Sequence, residues 1–222
     1  MDVPNREQVE ARLARLVSRE MQSQLGNLLD LLGDPPDISK VTEAYWNNGG
    51  KQLRAIIEPE LAAIFMAQAE LIMRDVGVGV DWALVNQQAV DFASTYTFDL
   101  VTSITGKNKE LLQKAIASFF DDGLSLGQLR DMISPAFGPV RSELIGITEV
   151  TRASVAGERT LAERIMAENP FIRMVGYWIT ERDGRVCEIC APNDGHLVDE
   201  VGYPPAHPRC RCTIRYEMRA KE

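Results

Sequence analysis

No apolar run in this 222-residue chain approaches the ~18 residues needed to cross a bilayer, and hydrophobic residues make up 45% of it. Its first residues, Met-Asp-Val-Pro-Asn-Arg-Glu, are polar and charged. Neither a signal peptide nor a membrane segment is expected, and a reducing cytosol is the expected compartment. Histidine is scarce, with two in the chain, and none of the four cysteines occurs before residue 187. The glycines form no phosphate-cradling loop, and no repeat or low-complexity segment is visible. Lys and Arg number 24 against 32 Asp and Glu, a net charge of −8 that argues against wholesale coating of nucleic acid.

What is present is concentrated near the C-terminus. Cys187 and Cys190 form a C-x-x-C pair, and His207, Cys210 and Cys212 follow in Pro-Pro-Ala-His-Pro-Arg-Cys-Arg-Cys. Soft thiolates at short spacing with a nearby imidazole are the donors that Zn²⁺ selects. The second half has three candidates for two places. Cys187, Cys190, His207 and Cys210 are the favoured set, with Cys212 as the substitute; buried free thiols and disulfides are the alternatives. A structural zinc ion is the expected cofactor. From Tyr203 to Lys221 the tail carries five cations and Glu217, a local +4. Arg209, Arg211, Arg215 and Arg219 are therefore candidate contacts for DNA or an acidic partner, and a solvated strand face is the plainer alternative.

The remainder reads as helical. Residues 5–32 carry an amphipathic stripe (Val9, Leu13, Leu16, Leu25, Leu28, Leu29, Leu32) ended by Gly33-Asp34-Pro35-Pro36. A short helix over 38–48, a joint at Gly49-Gly50 and a helix over 58–75 with Pro59 in its first turn are expected next. Asp81 caps a helix over 83–104, Gly106 ends it, and another spans Leu111–Phe120. Ser125 and Gln128 make a capping box, and a long helix runs from Val140 to Glu168. Within it, Ala153, Ala156 and Gly157 allow another backbone close. Met174–Arg182 then alternates as a strand, Asp183-Gly184 signals a hairpin, and Cys210, Cys212, Ile214 and Tyr216 share one face of a final strand. The expected fold class is α+β: a mostly helical body with a small β-rich, zinc-binding C-terminal cap.

Catalytic patterns fail. A zinc deaminase needs a histidine two residues before a glutamate and a proline just before its C-x-x-C, and Val186 precedes Cys187. A histidine metallonuclease would need more histidines than His196 and His207. A thioredoxin-like motif would open a helix, whereas a strand and turn precede Cys187. No enzymatic activity is expected.

Thr148-Glu149…Gly157, Trp178, the run Asp183-Gly184-Arg185-Val186-Cys187-Glu188-Ile189-Cys190, Gly195 and Pro204-Pro205-Ala206-His207-Pro208-Arg209-Cys210-Arg211-Cys212 occur in the order seen in the phage Mu F-like head morphogenesis family. The chain resembles that family over roughly residues 84–216. The resemblance implies a minor head protein of a tailed bacteriophage or prophage, acting in head assembly and in DNA packaging or ejection. Expected partners are the portal, capsid or scaffold proteins and packaged DNA, without membrane or small-molecule substrate; the expected place is the virion interior, and host cytoplasm during assembly. Relatives often carry arginine where Ile147 stands. Some carry a C-terminal toxin domain, which is not expected here with ten residues after Cys212. Residues 1–80 are then the expected partner-binding helical region and 81–217 the head-morphogenesis domain, with helices over 83–168 and the cap over 173–217. Glu149 and Arg152 on the long helix, with Asp183 and Arg185 on the turn before the first knuckle, are the expected polar cluster docking cap onto helix. A DNA-binding protein and a metal-dependent hydrolase are the alternative functions.

Overall fold

A computed structural model describes residues 3–76, 78–181 and 186–221. Its centre is a long helix, α5 (Pro139–Glu168), against which α1 (Arg6–Leu32) and α2 (Glu43–Val76) pack lengthwise. A third long helix, α3 (Trp82–Asp121), lies antiparallel on α2, and a short one, α4 (Leu126–Ile133), closes one end. After α5 come β1 (Ile172–Ile179), the single-turn helix α6 (Val198–Val201) and β2 (Thr213–Ala220). Strands β1 and β2 form one antiparallel ladder from Ile172↔Ala220 to Ile179↔Thr213. The fold is α+β, mostly helical with a small C-terminal sheet.

Elementary signals set several of these boundaries. In α1 the buried positions Leu13, Val17, Met21, Leu28 and Leu32 recur at helical steps. The Asp81 carboxylate accepts from the Ala83 N–H, and Ser125 and Gln128 form a reciprocal capping box. Gly157 sits where α5 crosses α2: a Cβ there would lie 2.3 Å from the Phe65 carbonyl oxygen, so only glycine admits this approach. Gly146 does the same against α1, where a Cβ would lie 2.9 Å from the Glu10 carbonyl oxygen.

Three expected breaks are absent. The expected short helix over 38–48 is split: Ile38–Lys40 form one 3-10 turn, while residues 43–48 and 58–75 belong to the single helix α2, which runs unbroken through Gly49, Gly50 and Pro59. Gly49 is a contact rather than a joint: the Gln24 side chain fills its Cβ space, and Gln24 Nε2 donates to the Gly49 carbonyl at 3.0 Å. Pro59 lies inside α2 rather than in a first turn, and it offers the Ala55 carbonyl no N–H. Likewise α3 continues through Gly106 to Asp121. Isolated helix breakers cost about 1 kcal/mol for glycine and about 3 for proline, less than burying Leu53, Ile57, Leu61, Val101, Ile104 and Leu112 returns at roughly 1.5–3 kcal/mol each.

One apolar cluster draws on α1, α2, α3, α4 and α5, and so crosses residue 80. A second joins α2, α3 and α5 to Met174 of β1. A third gathers Val155, Trp178, Val198, Ile214 and the buried cysteines. The Asp183-Gly184 turn lies outside the described residues. The ladder partner of β1 is the distant β2, and the other edge of β1 meets the segment around Leu197: the Trp178 N–H donates to the His196 carbonyl at 2.9 Å and the Gly195 N–H to the Trp178 carbonyl at 2.8 Å.

Candidate metal centre and its seam with the body

Two knuckles carry the donor atoms. In the first, the Cys190 and Ala191 N–H groups donate to the Cys187 carbonyl, folding the C-x-x-C back on itself. In the second, the Cys210 N–H donates to the His207 carbonyl at 3.2 Å, and Arg209 takes a left-handed backbone with φ 64°. That unusual residue is anchored from below, because its N–H donates to Thr148 Oγ1 of α5 at 3.0 Å. The knuckles face each other. His207 Nε2 lies 3.0 Å from Cys187 Sγ and 3.1 Å from Cys190 Sγ, and Cys190 Sγ lies 3.8 Å from Cys210 Sγ. Two donor triples result, Cys187–Cys190–His207 and Cys190–Cys210–Cys212, sharing Cys190. All five expected ligands therefore converge, and this Cys/His cluster can hold a metal ion.

The donors also fit a tetrahedral ion chemically. Two sulfurs each about 2.3 Å from zinc are separated by about 3.8 Å along a tetrahedral edge, which is the Cys190–Cys210 spacing. His207 Nδ1 lies 2.7 Å from the Pro208 carbonyl oxygen. A carbonyl only accepts, so Nδ1 carries the proton and a neutral ring turns the Nε2 lone pair toward the sulfurs. The thiols perturb one another. A hydrogen bond from the Cys212 thiol, with backbone N–H groups of Cys212 and Ala206, holds Cys210 down at about 5. Burial, and then the charge on Cys210, push Cys190 up to about 12. The same hydrogen bond to Cys210, reinforced by burial, raises Cys212. Backbone N–H groups, that of Cys190 foremost, also lower Cys187, so the cluster sets two favoured thiolates against two disfavoured ones. A divalent cation would relieve that repulsion and release protons.

Cap and body are joined by a polar seam. The buried Arg6 of α1 donates through Nε to Glu10 at 3.0 Å, through Nη1 to the Arg211 carbonyl at 2.7 Å, and through Nη2 to Thr151. Thr151 Oγ1 in turn donates to the Cys210 carbonyl at 2.6 Å. Arg211 returns the grip, its guanidinium meeting both Glu10 oxygens at 3.2 and 2.6 Å. Farther along α5, the fully buried Glu158 accepts from Gln68 Nε2 at 2.6 Å and from the Ile214 N–H at 3.2 Å, tying α2, α5 and β2 together. Burial pushes its carboxyl up to about 8, against the lowering effect of those two donors.

Half of the expected docking cluster falls among the described residues. Within them, Glu149 and Arg152 meet Tyr96 of α3, not the cap: the Tyr96 hydroxyl donates to Glu149 at 2.6 Å and Arg152 lies over the Tyr96 ring. Asp183 and Arg185 lie outside the described residues. Thr148, Thr151, Glu158, Arg6 and Glu10 do the docking instead, and sequence reasoning missed that role. A faint signal existed: Arg6 and Glu10 fall on the same helical stripe as Leu13 and Val17, where charges are out of place unless paired. Of the four candidate contact arginines, Arg211 is committed to Glu10. Arg209 faces Glu143 at 3.7 Å, while Arg215 and Arg219 share Glu217 at 3.4 and 3.0 Å.

A cleft of about 330 Å³ borders the cluster, with Glu143, Glu181, Arg209 and Arg211 among its walls. Glu143 faces Arg209 at 3.7 Å and Glu181 accepts from Arg6 at 3.2 Å. His196 is exposed and belongs to neither donor triple. Compared with protein-family models, with curated proteins and with solved structures, the chain matches none.

Proposed function

We propose that this chain is a minor head protein of a tailed bacteriophage or prophage, with a structural and interaction role in head assembly. A zinc ion closes its C-terminal cap. The observation that carries the architectural part is the convergence of four sulfurs and one imidazole nitrogen at the seam between cap and body. Five donors are available for four tetrahedral positions, enough to close the site without water or substrate. This disfavours a metal hydrolase. The phage assignment rests on the ordered sequence features from Thr148-Glu149 through Cys210-Arg211-Cys212. A direct DNA role has less support, because Arg211 is committed to the buried Glu10 and the chain carries a net charge of −8.

Gradient-purified heads from the producing bacterium test the reading. Mass spectrometry is expected to find the full chain in heads at low copy. Its absence from heads that are otherwise complete would overturn the assignment. Filter-binding with duplex DNA separates the second role, since phosphate contacts give a slope of about −0.9 in log affinity against log salt for each one. A slope near zero is expected.

A further inference from the structure

We propose that the groove between α2 and α3 is a docking site for an acidic amphipathic helix of another protein. The inference goes beyond the head-assembly reading and does not depend on it. Two clefts of about 390 and 500 Å³ run end to end along the two antiparallel helices, and Arg54 borders both. On α3 they extend from Val90 to Lys109, about 28 Å at 1.5 Å per residue, the length of a helix of about 18 residues.

The groove is apolar at its rim as well as its floor. Phe98 and Val90 are each 55% exposed, while Trp46 and Val101 lie buried beneath. Large exposed apolar side chains strung along a groove mark an interaction surface. Gly106 deepens it, because a Cβ at that position would meet nothing within 4 Å. An amphipathic helix laying its apolar face into such a trough is a recurrent recognition mode.

Charge selects the kind of helix. The larger cleft is bordered by Lys51, Arg54 and Lys109 and by no carboxylate, in a chain of net charge −8; the smaller is bordered by Glu58, which meets Arg54 at 3.4 Å in a partly exposed pair. Arg54 lies over the Phe98 ring at 5.4 Å and Lys109 over the Trp46 ring at 5.8 Å, which sets cations beside the apolar trough. Lys109 pairs with Glu43, whose side chain is 75% exposed. Such surface pairs exchange readily for another carboxylate. An incoming helix with leucines on one face and glutamates along its flanks meets both features at once.

Calorimetry on the full chain with two designed peptides of about 18 residues tests this. Both carry the same leucine face; one is flanked by glutamate and the other by lysine. The glutamate peptide is expected to bind at least tenfold more tightly. Gly106→Leu, which fills the groove at a position with open space, is expected to keep the melting temperature and weaken that binding more than tenfold. The pair Lys51→Glu and Arg54→Glu should reverse the preference between peptides. Equal affinity for both peptides, binding by neither, or unchanged binding to Gly106→Leu would overturn the proposal. So would a concentration-dependent dimer in sedimentation that Gly106→Leu abolishes, since the occupant would then be a second copy.

Discussion

The helical body and the C-terminal cap are held together by different physics. The body buries a continuous apolar cluster contributed by five helices. The cap has two strands of eight residues, one single-turn helix and a small apolar cluster that includes three cysteines. A two-stranded ladder is marginal in water. The cap therefore relies on what lies around it: the Cys/His cluster on one side and the Arg6–Glu10–Thr151 seam on the other. The contrast predicts a molecule with two stabilities rather than one.

Metal removal is the strongest way to break the contrast. If zinc fills the cluster, chelation should cost the cap on the order of 10 kcal/mol of metal-linked stability. Limited proteolysis is then expected to cut the chain beyond Glu168 while the helical circular dichroism persists. Equal protection of cap and body after chelation would contradict the proposed metal role.

Arg6→Met comes next. It leaves Glu10 facing only Arg211 and removes donors from Thr151 and the Arg211 carbonyl. Breaking a buried ion pair from one side costs about 3–5 kcal/mol, and hydrogen exchange should accelerate most at Cys210–Thr213. A loss of about 1 kcal/mol or less would rank this pair with surface ion pairs.

Glu158 sharpens the comparison through pH. Its carboxyl titrates at about 8 in the fold against an ordinary 4.5, so the folded state binds a proton that the unfolded chain has released. This contribution to stability is fully present below about pH 4.5. It falls as pH rises toward 8, by at most about 1.4 kcal/mol per unit. Glu158→Gln keeps an acceptor for the Ile214 N–H and should flatten that slope in denaturant titrations. An unchanged slope would show that Glu158 is ionised in place.

The smallest effect belongs to the body alone. Ser125→Ala removes one half of the capping box on α4 and should cost about 1 kcal/mol in global melting. Cap protection should not change. A selective loss of cap protection would mean that the two regions are not separable.

What the sequence discloses follows the same division. Features carried by neighbouring residues were legible: the stripe of α1, the Asp81 cap, the Ser125–Gln128 box, the close approach at Gly157, the alternation of β1 and the five candidate ligands; the final strand, expected to carry Cys210 and Cys212, begins after them at Thr213. Features decided by remote partners were not. Gly49 and Pro59 look like breaks until Gln24 and the buried leucines of α2 are in place. Gly106 gives no local sign that α3 continues beyond it. The Arg6–Arg211 clasp joins residues 205 positions apart, and no local pattern announces such a pairing. Glu149 and Arg152 meet each other and turn toward Tyr96, a partner 53 positions from Glu149.

The central claim, that a metal ion closes the cap, is tested most directly by elemental analysis of the full chain purified without added metal or chelator. The account predicts about one zinc per chain, bound in a tetrahedral site, with Cys190→Ser abolishing it because Cys190 belongs to both donor triples. Protein folded through its cap, with all four thiols free to react and no stoichiometric metal, would contradict it.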